Sequence, residues 1–491
     1  MYSICKIARL QVKQTWTVPA LCNLQAVQRQ HCAAFSSSVT SHYARGMKST
    51  TATKPGSKPK SAPKLPDYTD TSPRKDENGN DLWPAAPEAI ANARKFITKC
   101  AQSGEKVLIV PDKDADGLSS GVILYRTLTT LGLDQSKIDV HLHRRGSNIH
   151  AEEERQAMAD KKPKYIIVLD QGSIGGPAIV DTPDTATLII DHHLSDVFPD
   201  RAEVVSACHY PPVATSSLLT YEICKELHPD IADDLAYLAA IGTHGDLGNS
   251  LKWNPPFPDM KPMFKIHTKK GINDAVSLLN APRRTAKYDV ITAWNALLES
   301  KAPQDLLTNG RLQAARAEVN EEVEMNTHTP PKFSADGTIA VLKIKSQAQV
   351  HPVIATRWAG YLNSKKLEIV MVANYGYVDG MVNFSCRVAR TARHRDPPVN
   401  IIESLKAAAN LSTDGLRDRM GENFARGHKE ASGGIVPVEE FEELMKLLQV
   451  GEKIEGKDES GGAGQSSAKK AKTVEKSPQK NTLGNYFQKK A

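Results

Sequence analysis

The stretch Val107-Leu-Ile-Val-Pro-Asp-Lys-Asp-Ala-Asp-Gly-Leu-Ser-Ser-Gly121 decides the fold. Its first apolar residues predict a buried strand, and the apolar periodicity over 122–131 predicts the helix that follows. Between strand and helix, Asp112, Asp114 and Asp116 occupy alternate positions. Carboxylates this close repel one another unless a cation lies among them. The stretch therefore predicts a site for a hard divalent metal at the carboxyl end of a strand, the edge where ligands bind in open α/β sheets.

Alternating strands and helices continue from this stretch. The pattern predicts strands at 138–142, 165–169 and 187–190, and helices at 86–100, 152–159, 214–226 and from 235 onward. Such alternation indicates a mainly parallel sheet with helices on both faces. Asp170 follows one strand, Asp191-His192-His193 follows another, and Asp246 is expected in a loop after a helix. Acidic and imidazole groups gathered at one sheet edge suit two metal ions, which polarise a phosphoryl group and lower the pKa of a bound water.

A second α/β pattern follows a helix predicted at 310–325. It comprises strands at 339–344, 368–373 and 382–390 and helices from 400 and 439. We therefore expect an α/β protein in which a parallel-sheet catalytic domain and a smaller mixed α/β domain enclose the active site in a cleft. The predicted boundaries are a leader and basic linker at 1–80, the catalytic domain at 81–309, a connector helix at 310–331, the smaller domain at 332–450 and a disordered tail at 451–491.

Composition limits the class of protein. The chain has 491 residues, of which 24% are charged and 40% hydrophobic, enough to bury the cores of two domains. The formal net charge of +7 is modest and gives weak support for a polyanionic partner. No uncharged apolar run is long enough to span a bilayer, so no membrane partner is expected. The seven cysteines form no close pair, which argues against a zinc ribbon or a disulfide scaffold and favours a reducing compartment.

The polar motifs resemble those of the DHH phosphoesterase superfamily and, within it, the RecJ-like branch of single-strand-specific exonucleases. Four motifs carry the resemblance in chain order: Asp112-Lys-Asp-Ala-Asp-Gly117, Asp170, Asp191-His192-His193 and Gly242-Thr-His-Gly-Asp246. Superfamily members that act on small phosphodiesters carry a His four residues before the Asp equivalent to Asp114. This chain has Val110 there, which favours the RecJ-like branch.

The resemblance implies a role for each residue of these motifs. Asp114 and Asp170 would hold one metal ion, with Asp112 completing its shell. The side chains implied for the second ion are Asp116, Asp170, His192 and Asp246, so Asp170 would bridge both ions. His193 would stabilise charge on the phosphate or donate a proton to it, and Asp191 would orient the imidazoles. Manganese is expected in preference to magnesium.

Two further segments, Phe-Ser-Cys-Arg at 384–387 and the glycine-rich segment 425–434, are similar to the DHH-associated domain. The resemblance implies a glycine-rich loop whose backbone amides approach a phosphate. The residues implied to bind substrate are Arg387, Gly427, His428 and Gly433. Arg426 stands where the family has its first glycine, and a simple tight turn is the alternative. The basic residues over 387–395 either track a nucleic-acid backbone or form a solvated face.

Both termini carry signals of another kind. Residues 1–66 contain no Asp or Glu and have scattered Lys and Arg, which is typical of a mitochondrial transit peptide. A start at Met47 would remove most of this leader and, with the basic segment 469–472, favour the nucleus. The tail resembles the PIP box, and the resemblance implies docking of Leu483, Tyr486 and Phe487 on the sliding clamp PCNA, although a lysine stands where that motif has glutamine.

The expected function is metal-dependent hydrolysis of phosphodiester bonds in single-stranded nucleic acid, from an end, in DNA repair or replication. Two alternatives stay open. The same catalytic domain would also suit a small substrate such as a short oligonucleotide, a cyclic dinucleotide or polyphosphate. A non-catalytic replication scaffold is the other alternative, since relatives of this fold in the replicative helicase have lost metal ligands. The complete ligand set speaks against a scaffold.

Overall fold

The computed structural model describes residues 72–421 and 423–452, all within one compact unit. Two large sheets organise this part of the chain, a five-stranded one in the first α/β region (72–309) and a six-stranded one in the second α/β region (332–452). The predicted α/β class, with a parallel sheet and a separate mixed sheet, is confirmed. The leader, the basic tail and the PIP-box-like motif lie outside the described residues, and the domain boundaries stay a prediction.

The strands of the first region are a short hairpin of β1 (Arg74–Lys75) and β2 (Asp81–Leu82), then β3 (Val107–Pro111), β4 (Ile138–Val140), β5 (Tyr165–Leu169), β6 (Ala186–Asp191) and β7 (Ala202–Ser206). The last five form a wholly parallel sheet in the order β4-β3-β5-β6-β7. Both β3 and β5 are buried along their length, as continuous apolar strands of a covered parallel sheet should be. From β3 the chain adds β4 on one side and β5 on the other, so a topological switch point lies between β3 and β5.

Helices cover both faces of this sheet. They are α1 (Pro87–Ser103), α2 (Ala115–Thr130), α3 (Glu152–Asp160), α4 (Ser216–Cys224), α5 (Pro229–Asp234), α6 (Ala236–Leu247), α7 (Lys261–His267), α8 (Lys269–Leu279), α9 (Val290–Glu299) and α10 (Pro303–Thr308). The larger apolar core includes α1, α2, α4 and α6, and a smaller one on the other face buries Val110 and Met158. Burial of apolar side chains on both faces thus holds the carboxyl ends of the strands in fixed positions.

Helix α11 (Gly310–Asn326) leads into the second region. The strands there are β8 (Lys332–Phe333), β9 (Ile339–Ile344), β10 (Ile369–Asn374), β11 (Met381–Val388), β12 (Arg426–His428) and β13 (Ala431–Pro437), and the helices are α12 (His351–Tyr361), α13 (Ile401–Ala409), α14 (Leu416–Arg419) and α15 (Val438–Leu447). The sheet order is β12-β13-β11-β10-β9-β8, with only β9 and β10 parallel to each other. Its two faces bury separate apolar clusters.

The prediction of a glycine-rich loop at 425–434 is wrong, because β12 and β13 form a hairpin there. Gly433 pairs with Ser385 on β11, and a Cβ atom at Gly433 would lie 2.4 Å from the carbonyl oxygen of Phe384. The glycine therefore lets two strands approach closely. Strand β7 and helix α12 were not predicted. Within the described residues, no helix combines the length and the apolar character needed to cross a bilayer.

Candidate active site

The loop between β3 and α2 carries three of the predicted ligands. Asp112 follows β3, and its backbone amide continues the ladder by donating to the carbonyl oxygen of Leu169 at 3.0 Å. Asp114 caps α2, because its Oδ1 accepts hydrogen bonds from the amides of Asp116 and Gly117 at 3.1 and 3.3 Å. Asp116 lies in the first turn of α2 and is fully buried. Strand end and helix start thus fix three carboxylates together.

Asp170 and the two histidines follow the neighbouring strands. Asp170 comes directly after β5 and has a left-handed backbone with φ 61°, which Asp and Asn adopt more readily than other residues that carry a side chain. Asp191 ends β6, and His192 and His193 follow it. Asp170, Asp191 and His192 are buried, whereas the side chain of His193 is 46% exposed. One histidine is therefore enclosed within the cluster and the other is open to a substrate.

The predicted loop position of Asp246 is wrong, because Asp246 lies in the last turn of α6. The helix can come this close because Gly242 lies one turn earlier: a Cβ there would lie 2.1 Å from Ser217 Oγ and 2.6 Å from Asp116 Oδ1. Asp246 Oδ2 lies 3.2 Å from Nε2 of His192. The end of α6 thus brings Asp246 close to the residues that follow the strands, although a loop was predicted at this position.

The structure gathers the predicted site residues into three overlapping groups. In each group, one ligand atom per residue lies within 4.8 Å of all the others. The first group contains Asp116, Asp170, His192 and Asp246, the second contains Asp112, Asp114 and Asp170, and the third contains Asp170, His192 and His193. Asp170 belongs to all three groups. The first and second groups are the two ligand sets that the family resemblance implies.

Two serines at the start of α4 support the first group and were missed in the sequence. The Ser216 amide donates to Asp116 Oδ2 at 2.8 Å and to His192 Nδ1 at 3.0 Å, and its hydroxyl donates to Asp170 Oδ1 at 2.9 Å. The Ser217 amide donates to Asp116 Oδ1 at 3.0 Å. Hydroxyl residues at a helix start signal a cap, but that signal does not reveal which side chains the helix start faces.

Asp191 orients His193. Its Oδ1 accepts from Nδ1 of His193 at 2.8 Å and from the amide of His192 at 2.7 Å, while Oδ2 accepts from the hydroxyl of Ser173 at 2.6 Å. The predicted orienting contact therefore reaches one imidazole, not both. Burial opposes protonation of His193, but the hydrogen bond and the charge of Asp191 raise its pKa to about 9. These contacts favour a protonated imidazole at neutral pH.

The first group carries excess negative charge. Burial and the nearby carboxylates, Asp116 foremost, raise the pKa of Asp170 well above its usual value. The same two causes raise the pKa of Asp246 to about 7. Carboxylates in this condition gain stability from a cation among them. Because the donors are carboxylate oxygens and one imidazole nitrogen, the group fits Mn²⁺ or Mg²⁺.

Protein cations lie beside the second group. Lys113 Nζ is 3.3 Å from Asp112 Oδ1, and His143 Nε2 is 3.4 Å from the same oxygen. Burial would raise the pKa of Asp112, but these two neighbours outweigh it and hold that pKa below the usual range. Arg283 Nη2 lies 3.9 Å from Asp114 Oδ2. No role was predicted for these three residues, although Lys113 lies inside the first motif.

The second region places two of its predicted substrate-binding residues opposite this cluster. Arg387 on β11 and His428 on β12 both pair with Ala431 on the strand between them, so both side chains lie in one row on one face of the sheet. The ring of His428 is 6.4 Å from the ring of His193, centroid to centroid, with 14° between their planes. The cleft predicted between the two α/β regions therefore brings residues of both regions together.

The other two predicted substrate-binding residues shape the hairpin. Gly427, at φ 106°, pairs with Ser432, and Gly433 pairs with Arg426. A Cβ at Gly427 would lie 2.7 Å from the carbonyl oxygen of Ala431. Both glycines thus allow backbone approach within β12 and β13, the strands that carry or adjoin His428.

A partly buried arginine, Arg284, adds positive charge beside the cluster. Burial, together with the charges of Arg283 and Arg387, lowers the pKa of Arg284 to about 9. Within residues 72–421 and 423–452, Arg284 Nε has no hydrogen-bond partner. The basic run over 387–395 is divided, because Arg395 pairs with Glu368 while Arg387 lies in one row with His428 on the sheet. An anion is the natural partner for such buried cations.

Part of the first region is similar in sequence to a known family. Residues 106–243 match the profile of the "DHH family, N-terminal domain". The chain is 25% identical over 174 residues to the single-stranded-DNA-specific exonuclease RecJ of Bacillus subtilis (strain 168). That match covers 33% of this chain and 22% of the relative, so the chain spans about a fifth of the length of the curated protein it matches.

Comparisons of structure agree on the fold. RecJ from Thermus thermophilus, in complex with Mn²⁺, superposes with a TM-score of 0.54 at 17% identity over 75% of this chain and 55% of that one. An exonuclease RecJ bound to manganese gives a TM-score of 0.50 at 17% identity over 75% of this chain and 95% of that one. These structural matches cover most of the described chain and not only the first region. At 17% identity they show a likeness in fold.

Proposed function

We propose, from the premise that this chain is a RecJ-like protein of the DHH superfamily, that it hydrolyses phosphodiester bonds of single-stranded nucleic acid from an end. The observation that carries the proposal is a pair of anionic ligand groups joined at Asp170, facing a sheet with Arg387 and His428 in one row. An anionic cluster that binds cations suits phosphoryl chemistry, and a cationic face suits the phosphates of the same substrate.

The two ligand groups would each hold one divalent ion, manganese in preference to magnesium. Such ions supply positive charge beside a phosphoryl group and lower the pKa of nearby water. Ser216 and Ser217 hold the carboxylate oxygens and His192 through short hydrogen bonds, so the donors are positioned before any ion binds. The chain thus contributes a preorganised donor set.

His193 is the residue we assign to the phosphate. Its Nδ1 is bound to Asp191, so Nε2 is the ring atom left to meet a substrate. A pKa of about 9 keeps the ring protonated at neutral pH. From this position His193 stabilises charge on a phosphate oxygen or delivers a proton to the leaving oxygen. Asp191 acts through His193 by holding its orientation.

We expect three basic side chains to bind phosphates next to the one that reacts: Arg387, His428 and the partly buried Arg284. Guanidinium and imidazole groups contact phosphates without reading bases, so we expect little sequence preference. The name of the Bacillus subtilis relative, a single-stranded-DNA-specific exonuclease, supports a single-stranded polymer as the substrate. Docking on PCNA and the divided localisation remain proposals from the sequence.

An assay with four substrates tests the proposal. The purified full chain, with Mn²⁺, is given end-labelled single-stranded DNA, single-stranded RNA, a dinucleotide and polyphosphate. We expect release of small products from an end of the polymers and no cleavage of a circular single strand. Asp116→Ala should be inactive, whereas Asp160→Ala, at an exposed position on α3, should retain activity.

The outcomes separate the alternatives. Cleavage of the dinucleotide alone would establish a small-substrate phosphoesterase. Survival of all four substrates with the unsubstituted protein would refute the proposed activity and favour a scaffold. Cleavage of the circle would show that an end is not required.

A further inference from the structure

The two ligand groups differ in the cations that the protein itself places beside them. The ammonium group of Lys113 lies 3.3 Å from Asp112 Oδ1 and 3.2 Å from His143 Nε2. Nδ1 of His143 lies 3.1 Å from the carbonyl oxygen of Arg144, which can only accept, so Nδ1 carries the proton. This hydrogen bond holds the ring in place, with Nε2 3.4 Å from Asp112 Oδ1. The ammonium group thus lies between the carboxylate of Asp112 and the ring of His143.

A second cation lies beside Asp114. Arg283 Nη2 is 3.9 Å from Asp114 Oδ2. The guanidinium is itself fixed, because Nε donates to Asn280 Oδ1 at 2.9 Å and Nη1 donates to Gln349 Oε1 of the second region at 3.3 Å. Two of the three carboxylates in the second group therefore already have a cationic neighbour from the chain.

The first group has imidazole neighbours instead. The ion pairs that Asp116, Asp170 and Asp246 make within 4.0 Å are with His192 and His193. Their partners are backbone amides, serine hydroxyls and imidazoles. His193 is itself paired with Asp191 at 2.8 Å, so most of the negative charge of the first group is left for an external cation.

We propose that Lys113 is an internal counter-ion that makes the two ion sites unequal. The first divalent ion binds at Asp116, Asp170, His192 and Asp246. The second binds at Asp112, Asp114 and Asp170 with lower affinity, because it must approach the Lys113 ammonium group or displace it. Repulsion between a divalent ion and a nearby ammonium group is large enough to separate the two affinities by about tenfold or more. The inference rests on the proposed function, since it assumes that both groups bind metal.

Titration of the metal-free full chain with Mn²⁺ tests this inference without measuring activity. Calorimetry gives the number of sites and their dissociation constants, and electron paramagnetic resonance of bound manganese shows when two ions come close together. Lys113→Met removes the charge at nearly the same length, and Lys113→Arg keeps it. Lys137→Met, at an exposed position of the same region, controls for the loss of one positive charge.

We expect the unsubstituted chain, Lys113→Arg and Lys137→Met each to show one tight and one weak site. In Lys113→Met the weak site should tighten by about tenfold. Equal affinities in the unsubstituted chain, or an unchanged weak site in Lys113→Met, would overturn the inference and leave the proposed function standing. Loss of the weak site in Lys113→Met would also overturn it, because Lys113 would then organise the carboxylates. Absence of any Mn²⁺ binding would refute the inference and the proposed function together.

Discussion

The two α/β regions hold their polar groups in different ways. In the first region, the ligands follow buried parallel strands or lie in helix turns, and most are enclosed by hydrogen bonds. In the second region, Arg387 and His428 lie on one face of an antiparallel hairpin and its neighbour, and His428 is exposed. We therefore propose a division of labour, in which the first region would fix the reacting groups and the second would hold the substrate.

The largest loss of activity is expected when a metal ligand is removed from the first region. Asp116→Asn keeps the size of the side chain but removes its charge. Metal ions stabilise the transition state of such reactions by several kcal/mol. We therefore expect activity to fall by about a thousandfold or more. Circular dichroism should show a retained fold. Near-normal turnover, measured with labelled single strands, would contradict the placement of the chemistry in this cluster.

A smaller loss of activity is expected from the substitution His193→Ala. Loss of a group that transfers a proton or stabilises charge costs about 10² to 10⁴ in rate, and it should lower kcat with little change in KM. His192→Ala is the matched comparison, since it should also weaken Mn²⁺ binding, whereas His193→Ala should not. Equal loss of Mn²⁺ affinity in both variants would show that His193 is a metal ligand.

Substitution in the second region should act on binding. Arg387→Ala removes a cation that we assign to a neighbouring phosphate, and charged hydrogen bonds of this kind contribute about 1.5–3 kcal/mol. We therefore expect KM to rise by about tenfold to a hundredfold, with kcat less affected. Steady-state kinetics on long and very short single strands measures this. A fall in kcat alone would place Arg387 with the reacting groups and abolish the proposed division.

Matched glycine substitutions compare packing in the two regions. In Gly242→Ala, the new methyl group would meet Ser217 and Asp116, while in Gly433→Ala it would meet the backbone of Phe384. Overpacking of this kind costs about 1–3 kcal/mol in the free energy of unfolding. Only Gly242→Ala should also weaken Mn²⁺ binding, because it alone displaces a ligand. Urea denaturation and calorimetry would measure the two effects.

The smallest effect concerns a buried pair that supports the loop after β4. Burial would raise the pKa of Glu154, but hydrogen bonds from Arg144 and His141 outweigh it and hold that pKa below the usual value. A folded-state pKa below the unfolded value stabilises the protein above the unfolded pKa, and this stability is lost as pH falls through the folded pKa. We expect Glu154→Gln to cost about 1 kcal/mol at pH 7. The difference from the unsubstituted protein should shrink in acid, and a difference independent of pH would contradict this assignment.

Most of the site follows from a local rule. Asp112, Asp170 and His192 follow apolar strands in the sequence, and parallel strands bring such residues to one edge. Asp246 was found by its motif but assigned to a loop, because Gly242 and Gly245 favour a turn there, whereas α6 continues to its end at Leu247. The rule does not predict the position of Lys113, which contacts the adjacent Asp112 and also His143, 30 residues further along the chain. Placement of such groups depends on tertiary packing.

The second region was predicted less well for a related reason. The segment that forms β13 contains two adjacent glycines, and its composition favours a turn. Pairing with β11 on one side and β12 on the other overrides that local preference. The row that joins Arg387 to His428 exists only because this strand lies between them. No single segment of the sequence contains that relation.

The backbone at Asp170 narrows what can occupy that position. Glycine would relax the left-handed conformation but offer no carboxylate, and glutamate would offer a carboxylate on a residue that rarely adopts this backbone. Asparagine would accept the backbone but lose the charge shared by both ligand groups. When every amino acid is tested at this position, only aspartate should therefore support activity. The position thus tolerates almost no substitution.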